Sequence, residues 1–359
     1  MKSALLACTL ALNIAVAAPV LAAAGPADGG FTVEKLADGI YAAVRTDPPG
    51  LMVDANSLFI VNDNDVVVVD APEASAQMIS ALRRITSKPV SYLINTHWHD
   101  DHVIGNAIWR KAWPGIRFIA HASLREYLPT TGAKNRAGMI QGAPEFAAQI
   151  QAQMDKGKDL QDQPINDEER ASYASDIRLV KHYMEVVPGT PSVLPDIDVT
   201  EGLTLIRGTR RIEVRHLGDG HTRSDLVVWL PSERIAATGD LVTWPIPLVG
   251  NDQSHVRDWP QTLDALLALQ PVILVPGHGP VEHNTDYARQ MRDLFTSINQ
   301  QVAAAVVRRA SLEDTRKAVD LAAFREKFAG DSKVRRVAFG MYVTGPAVES
   351  AWRDAQAKP

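Results

Sequence analysis

Cysteine is nearly absent from this chain. Cys8 is the single one in 359 residues, so no internal disulfide can form and no cysteine-based zinc finger can be built. A basic excess is missing too. Lys and Arg number 37 against 42 Asp and Glu, a formal net charge of −5, which gives no electrostatic footprint for nucleic acid or for an anionic membrane surface. No internal repeat recurs at solenoid periods. What is present is a globular composition, 46% hydrophobic and 22% charged, which excludes wholesale disorder. The length allows one large domain with additions, or two modest ones.

The first residues read as an address. Lys2 is followed by an apolar stretch from Ala4 to Ala24 that ends in Leu21-Ala22-Ala23-Ala24-Gly25, with no further charge before Asp28. A basic start, an apolar segment and small residues suit a cleaved signal peptide at 1–24. Asn13 and Pro19 interrupt a run already short for a bilayer span. Leu5-Leu6-Ala7-Cys8 resembles a lipoprotein box but lies too near the start to leave an apolar segment before it. The expectation is an exported protein, periplasmic or secreted, with no membrane attachment after cleavage and no cysteine left.

The next part reads as β. Thr32–Leu36 and Ile40–Val44 flank a turn at Asp38-Gly39, and Ser57–Val61 and Val66–Val69 flank Asn62-Asp63-Asn64-Asp65. Between the pairs runs Asp47-Pro48-Pro49-Gly50-Leu51-Met52, a loop with an apolar tip that is either packed down or facing a substrate. A helix near Ala74–Ile85 and a strand at Ser91–Ile94 follow. Residues 123–196 differ: Phe146, Ile150 and Met154, then Tyr173, Ile177, Val180 and Met184, recur at helical spacing, and Asn166 with Glu169 forms a capping pair. This predicts a helical insertion of about two helices. Strands return at Leu203–Ile206, Ile212–His216, Leu226–Leu230 and Ile235–Ala237. Pro260 sits in the first turn of a helix using Leu263, Leu266 and Leu267, and Val272–Val275 is a buried strand. From Thr285 onward the chain is mostly helical. Two β-rich halves interspersed with helices predict a β-sandwich flanked by helices.

Chemistry concentrates after the strand at 91–94. His97, His99, Asp100, Asp101 and His102 fall within six residues. Alternate residues of an extended segment share a side, so His97 and His99 can serve one metal. Asp101 and His102, where a turn or helix begins, can serve a second. Imidazole nitrogen and carboxylate oxygen are the donors expected at catalytic zinc sites. Further candidates stand at element ends: His221 in Gly-Asp-Gly-His-Thr, Asp240 in Thr-Gly-Asp and His278 in Pro-Gly-His-Gly, each preceded by a glycine. The remaining histidines, His121, His182, His216, His255 and His283, read as structural or solvated. Leu51, Met52 and Trp244 are candidate walls of a substrate pocket.

Taken together, the chain resembles the metallo-β-lactamase fold superfamily of zinc hydrolases. The resemblance rests on His-x-His-x-Asp-His at 97–102, Gly-His-Thr at 220–222, Gly-Asp at 239–240, Pro-Gly-His at 276–278, and Asp70 at the end of its strand. It covers roughly 31–284. It implies an α/β (α+β) fold, an αββα sandwich with the helical insertion at 123–196 and a C-terminal helical extension at 285–359. It further implies two Zn2+ per chain, with iron or manganese as alternatives. His97, His99 and His221 would hold the first, Asp101, His102 and His278 the second, and Asp240 would bridge them with a hydroxide.

The implied reaction is hydrolysis of a small ester, lactone, thioester or amide, the bridging hydroxide attacking the carbonyl and the catalytic Asp101 orienting it. The expected partner is a small-molecule substrate, not nucleic acid. A narrower alternative is a true periplasmic β-lactamase of the class B type. Export favours it, and Asp240, where one group of those enzymes carries cysteine, counts against it. A glutathione thioesterase fits export poorly. A reading of another class is a di-iron redox protein, but the residues after 284 leave little room for a flavin domain.

Overall fold

The computed structural model describes residues 30–250 and 253–356. The expected signal peptide at 1–24 lies outside the described residues, and no helix among them is long and apolar enough to cross a membrane. The first sheet has seven strands in sequence order: β1 (Phe31–Ala37), β2 (Ile40–Arg45), β3 (Ser57–Val61), β4 (Val66–Val69), β5 (Val90–Ile94), β6 (Arg117–His121) and β7 (Ile197–Val199). β1 to β4 pair antiparallel through short turns. From β4 to β7 the pairing is parallel, and each parallel step needs a crossover. The crossovers contain α1 (Ser75–Ile85), then α2 (Asp100–Val103) with α3 (Asn106–Ala112), then α4 (Leu124–Tyr127), α5 (Ala133–Asp155) and α6 (Asp167–Val186).

The second sheet contains β8 (Gly202–Arg207), β9 (Arg210–Arg215), β10 (Val227–Leu230), β11 (Ile235–Thr243) and β12 (Ile273–His278), in the spatial order β12-β11-β10-β9-β8. Only the β11–β12 pair is parallel, and α7 (Trp259–Ala268) crosses between them. Five helices follow: α8 (Asp286–Val307), α9 (Leu312–Ala318), α10 (Ala322–Ala329), α11 (Lys333–Phe339) and α12 (Pro346–Gln356).

Alternation within the strands builds three apolar layers. Ile40, Leu58, Ile60, Val67 and Ile94 of the first sheet meet Ile212, Val214, Val228 and Val275 of the second between the sheets. On the outer face of the first sheet, Phe59, Val68 and Leu93 pack with Met78 and Leu82 of α1 and Trp109 of α3. On the outer face of the second, Val227, Trp229 and Leu274 pack with Leu263 and Leu266 of α7, Phe295 and Ile298 of α8, and Val348 of α12. The layers are therefore α, β, β, α, as the sequence implied. The C-terminal helices share the core of the second sheet: Trp259 of α7 stacks on Phe295 of α8 with ring centroids 4.5 Å apart.

The helical insertion lies between β6 and β7. Asn166 caps α6 as predicted, its side chain accepting from the Glu169 N–H while Glu169 accepts from the Asn166 N–H. α5 begins well before the apolar triplet that announced it and carries Pro144 inside it. β6, β7 and α3 have no counterpart in the sequence reading. β6 and β7 are short and α3 is seven residues long, well below the window of about 11–18 residues over which periodicity becomes distinctive.

Because Phe295 is fully buried among the residues that join the extension to the sheet, truncating it should cost heavily. Phe295→Ala is expected to lower unfolding free energy by about 3–5 kcal/mol in chemical denaturation. Val307→Ala, at an exposed position on the same helix, should leave it nearly unchanged.

Candidate metal centre

The site is built where strand ends of both sheets meet. β5 runs out into Asn95-Thr96-His97-Trp98-His99, where the backbone bends at 96–98 rather than staying extended as the sequence suggested. His97 and His99 turn to the centre. Trp98 turns away into a small buried cluster with Leu124 and Leu128, its ring stacked near Tyr127. His99 precedes α2, whose single turn carries Asp101 and His102. β11 brings Asp240 and β12 brings His278. His221 comes from the loop after β9 and is tied down because Ser254 Oγ donates to its backbone carbonyl.

Two glycines make the approach feasible. A Cβ on Gly277 would lie 2.0 Å from Asp240 Oδ1, and a Cβ on Gly239 would lie 2.4 Å from Thr96 Oγ1. Gly239 also has φ of +49°, the left-handed region that glycine adopts cheaply. It kinks β11 just before Asp240.

The seven predicted ligands converge. His97, His99, His221 and Asp240 form one group of mutually close donor atoms, and Asp101, His102 and His278 form another. Nε2 of His221 lies 2.9 Å from Nδ1 of His99. Asp240 faces both groups. Its Oδ2 is 3.4 Å from His221 Nε2 and 3.9 Å from His97 Nε2, while its Oδ1 is 3.2 Å from His102 Nε2 and 3.3 Å from His278 Nε2. Asp101 Oδ2 lies 3.1 Å from His278 Nε2 and 3.6 Å from His102 Nε2. The His97 and His102 rings sit only 4.1 Å apart, yet their Nε2 atoms address different oxygens of Asp240.

Outer contacts fix the ring orientations. His102 Nδ1–H donates to Asp70 Oδ2 at 2.8 Å, His221 Nδ1–H to the Leu248 carbonyl at 2.7 Å and His278 Nδ1–H to the Asp54 carbonyl at 3.2 Å. With Nδ1 so engaged, Nε2 is the atom presented inward. Asp70 has φ of +61° and also accepts from the Thr96 N–H and hydroxyl, both at 2.8 Å. It therefore shapes the turn that delivers His97 and aims His102 without facing the centre itself.

The donor set fits a cation. Nε2 of His97, His102 and His278, and Oδ1 of Asp240, are buried without a hydrogen-bond partner among the described residues. Each such atom left unmatched costs roughly 1–3 kcal/mol, and coordination would satisfy all of them. Burial holds His97 well below the usual imidazole range and His99 at about 3, and lowers His221 as well, so this group offers neutral lone pairs. At the other group burial again disfavours charge. Asp240 nevertheless leads the acidic neighbours that push His102 well up and His278 up to about 10. A further cluster, Asp219, His255 and Asp258, differs in kind: Arg223 Nε donates to His255 Nε2 at 3.1 Å, which already brings a cation into it.

Two cavities flank the centre. One, of about 290 Å3, is walled by His99, Asp101, Trp98, Leu51, Met52 and, from the insertion, Arg136 and Tyr183. The other, of about 80 Å3, lies on the side of His278 and Trp244. Met52, Val53 and Tyr342 line both. Leu51 is buried and the loop is packed down: the Asp176 carboxylate of α6 accepts from the Leu51 and Met52 N–H groups, and Tyr342 donates to the Leu51 carbonyl at 3.0 Å. Sequence reasoning found the loop and Trp244 but missed Asp176, Tyr342, Arg136 and Glu73. Glu73 is a buried acid in the larger cavity, raised well above the carboxylate range by burial and by Asp54 and Asp101. These four carry no motif, and only the tertiary fold brings them together.

Removing the Asp176 acceptor should free the loop. Hydrogen bonds to a charged group contribute roughly 1.5–3 kcal/mol, so Asp176→Ala is expected to speed amide exchange at Leu51 and Met52 by about ten-fold or more. Exchange within β11 should stay as it was.

Residues 52–278 match the profile of the metallo-beta-lactamase superfamily. A metallo-beta-lactamase type 2 of Bacteroides fragilis is 23% identical over 275 residues, covering 72% of this chain and 86% of that protein. A linear primary-alkylsulfatase of Pseudomonas sp. (strain ATCC 19151) is also 23% identical, over 66% of this chain and 44% of its own length. Among solved structures, a metallo-beta-lactamase from Pontibacter korlensis superposes with a TM-score of 0.50 at 16% identity, covering 74% of this chain and 99% of that one. VMB-1 superposes with a TM-score of 0.51 at 16% identity, over 75% of this chain and 98% of that one. The strand-end cluster of histidines and aspartates and the match across more than half of the sequence agree: the chain belongs to the metallo-beta-lactamase superfamily of hydrolases.

Proposed function

We propose that the protein is a binuclear zinc hydrolase that cleaves the carbonyl of a small ester, lactone, thioester or amide. The observation that carries this reading is Asp240. One buried carboxylate presents Oδ2 to His221 and His97 and Oδ1 to His102 and His278, the arrangement a bridging ligand requires. In this assignment His97, His99 and His221 hold one ion and Asp101, His102 and His278 the other. The set offers nitrogen and oxygen donors without thiolate, which suits zinc and leaves iron or manganese as alternatives. When bound, the ions would supply Lewis-acid polarisation of a carbonyl oxygen and a water acidic enough to act near neutral pH.

The remaining work falls to the chain. Asp101 is the most exposed of its group of three and opens on the larger cavity. From there its carboxylate can accept a proton from the attacking water and deliver it to the leaving group. Asp70 holds His102 in place. Leu51, Met52 and Trp244 wall the cavities and exclude bulk water from the bound substrate. The expected export signal makes this a periplasmic or secreted activity. β-Lactams are the first substrates to try, because several curated relatives are named metallo-beta-lactamases.

The test is metal analysis of the full-length protein, joined to hydrolysis of a chromogenic cephalosporin and of a panel of lactones, esters and thioesters. Two zinc ions per chain and turnover of any of these supports the reading; firmly bound iron with visible colour and no turnover replaces it with the redox alternative. Asp101→Ala should reduce turnover by about 100-fold or more with the fold intact, and full activity in that variant overturns its role. Asp70→Asn should weaken metal affinity about 10- to 100-fold, read by competition with a chromogenic chelator.

A further inference from the structure

Arg335, on α11 of the C-terminal extension, is a cation with no anion. Its guanidinium lies 4.8 Å from the centroid of the Trp244 ring. Its Nε is buried without a hydrogen-bond partner, and among the described residues no carboxylate pairs with it. A buried unmatched donor on a charged group is costly, and structures tolerate it where a ligand supplies the acceptor. Arg335 lines the smaller cavity together with Trp244 and His278. That cavity holds about 80 Å3, several times the roughly 10–15 Å3 that one water needs. The two acids at its wall do not compete for Arg335, since Asp47 and Asp54 pair with Arg45 at 2.8 and 3.2 Å. Stacking on an indole leaves the edge of a guanidinium free for a bidentate contact.

We infer that Arg335 is the anchor for a negatively charged oxyanion on the substrate, a carboxylate or a sulfate. The anion sits in the Trp244 cavity while the scissile carbonyl lies over the metal centre beyond His278. The inference deepens the hydrolase reading and rests on it only for the scissile group; the anion site itself stands on Arg335, Trp244 and the cavity. It makes the extension a specificity element: the sandwich supplies the reaction and α11 selects acidic substrates.

The experiment uses the full-length, zinc-loaded protein and three probes with the same three-methylene spacer: dimethyl glutarate, monomethyl glutarate and the methyl ester of 4-sulfooxybutanoate. Binding is followed by calorimetry and by tryptophan fluorescence, and turnover of each ester is followed in parallel. The wild type is expected to bind the two anionic esters more tightly than the diester. Arg335→Gln should weaken the anions by about ten-fold or more, as expected for a charge-assisted hydrogen bond, and Arg335→Lys should restore part of the loss. Affinity for the diester should change less than that for the anions, and coincident thermal unfolding midpoints show that the variants are folded. The tighter of the two anions names the natural class. Anion affinity unchanged in Arg335→Gln overturns the assignment, whatever the turnover. Loss of anion binding in that variant, with no ester cleaved by any form, sustains the anion site and refutes the hydrolase reading for esters.

Discussion

One carboxylate placed between two groups of imidazoles governs this structure. Asp240 is buried, and an isolated buried charge would be expensive. It is tolerated because His102 and His278, whose protonated forms it favours, face its Oδ1, and a bound cation would satisfy what the protein leaves unmatched. Its position dictates the backbone around it. Gly277 leaves the space its Oδ1 occupies, and Gly239 supplies the left-handed kink that turns β11 toward the centre. Asp70, itself at positive φ, fixes the Thr96 turn and His102 from the opposite sheet. The sandwich is thus a device for bringing strand ends into register at one edge. Its apolar interior, where valine and isoleucine dominate both inner faces, makes that edge rigid.

What could be read from sequence follows from how local each signal is. The cluster at 97–102 was legible because three histidines and two aspartates stand within six residues after a buried strand; the bend at 96–98 and the contacts from Asp70 that aim the side chains are supplied by the fold. The strands other than β6 and β7 were legible as short apolar runs bounded by turn residues; β4, β10 and β11 are buried along their whole length, so it was the run and its boundaries that announced them. The capping of α6 was legible because Asn166 and Glu169 satisfy each other within four residues. α5 was only half legible: Gly138, Gly142 and Pro144 interrupt its apolar pattern, and among its residues only Ala143 and Ile150 are buried, so the core imposes little periodicity on it. Asp176, Tyr342 and Arg335 were not legible at all. Asp176 and Tyr342 act through a backbone group more than a hundred residues away, and Arg335 through the ring of Trp244.

Those long-range contacts converge on one residue. The Leu51 N–H is held by Asp176 of the insertion, and the Leu51 carbonyl is held by Tyr342 of the extension. Both backbone groups of the loop that divides the two cavities are thereby assigned to segments outside the sandwich. Burial pushes the Tyr342 hydroxyl up to about 12, so it stays a donor across the ordinary pH range. Asp176 is pushed up to about 6 by burial, so it is mainly a carboxylate acceptor at neutral pH. It takes up a proton as pH falls through that value, where its hold on the two amides weakens.

The division of labour follows from these contacts. Residues that converge on Asp240 sit on strand ends whose places are set by the two-sheet core. The cavity walls are made by one loop clamped between the insertion and the extension, each packed against the sandwich by its own helices. Both additions also reach the segments that carry the donor set: Arg136 and Tyr183 of the insertion donate to Asp100, beside Asp101, and Ser350 and Arg353 of α12 donate to the carbonyl of Ser254, which holds His221. The loop at Leu51 and the donor set are thus braced by the same two additions, through different contacts.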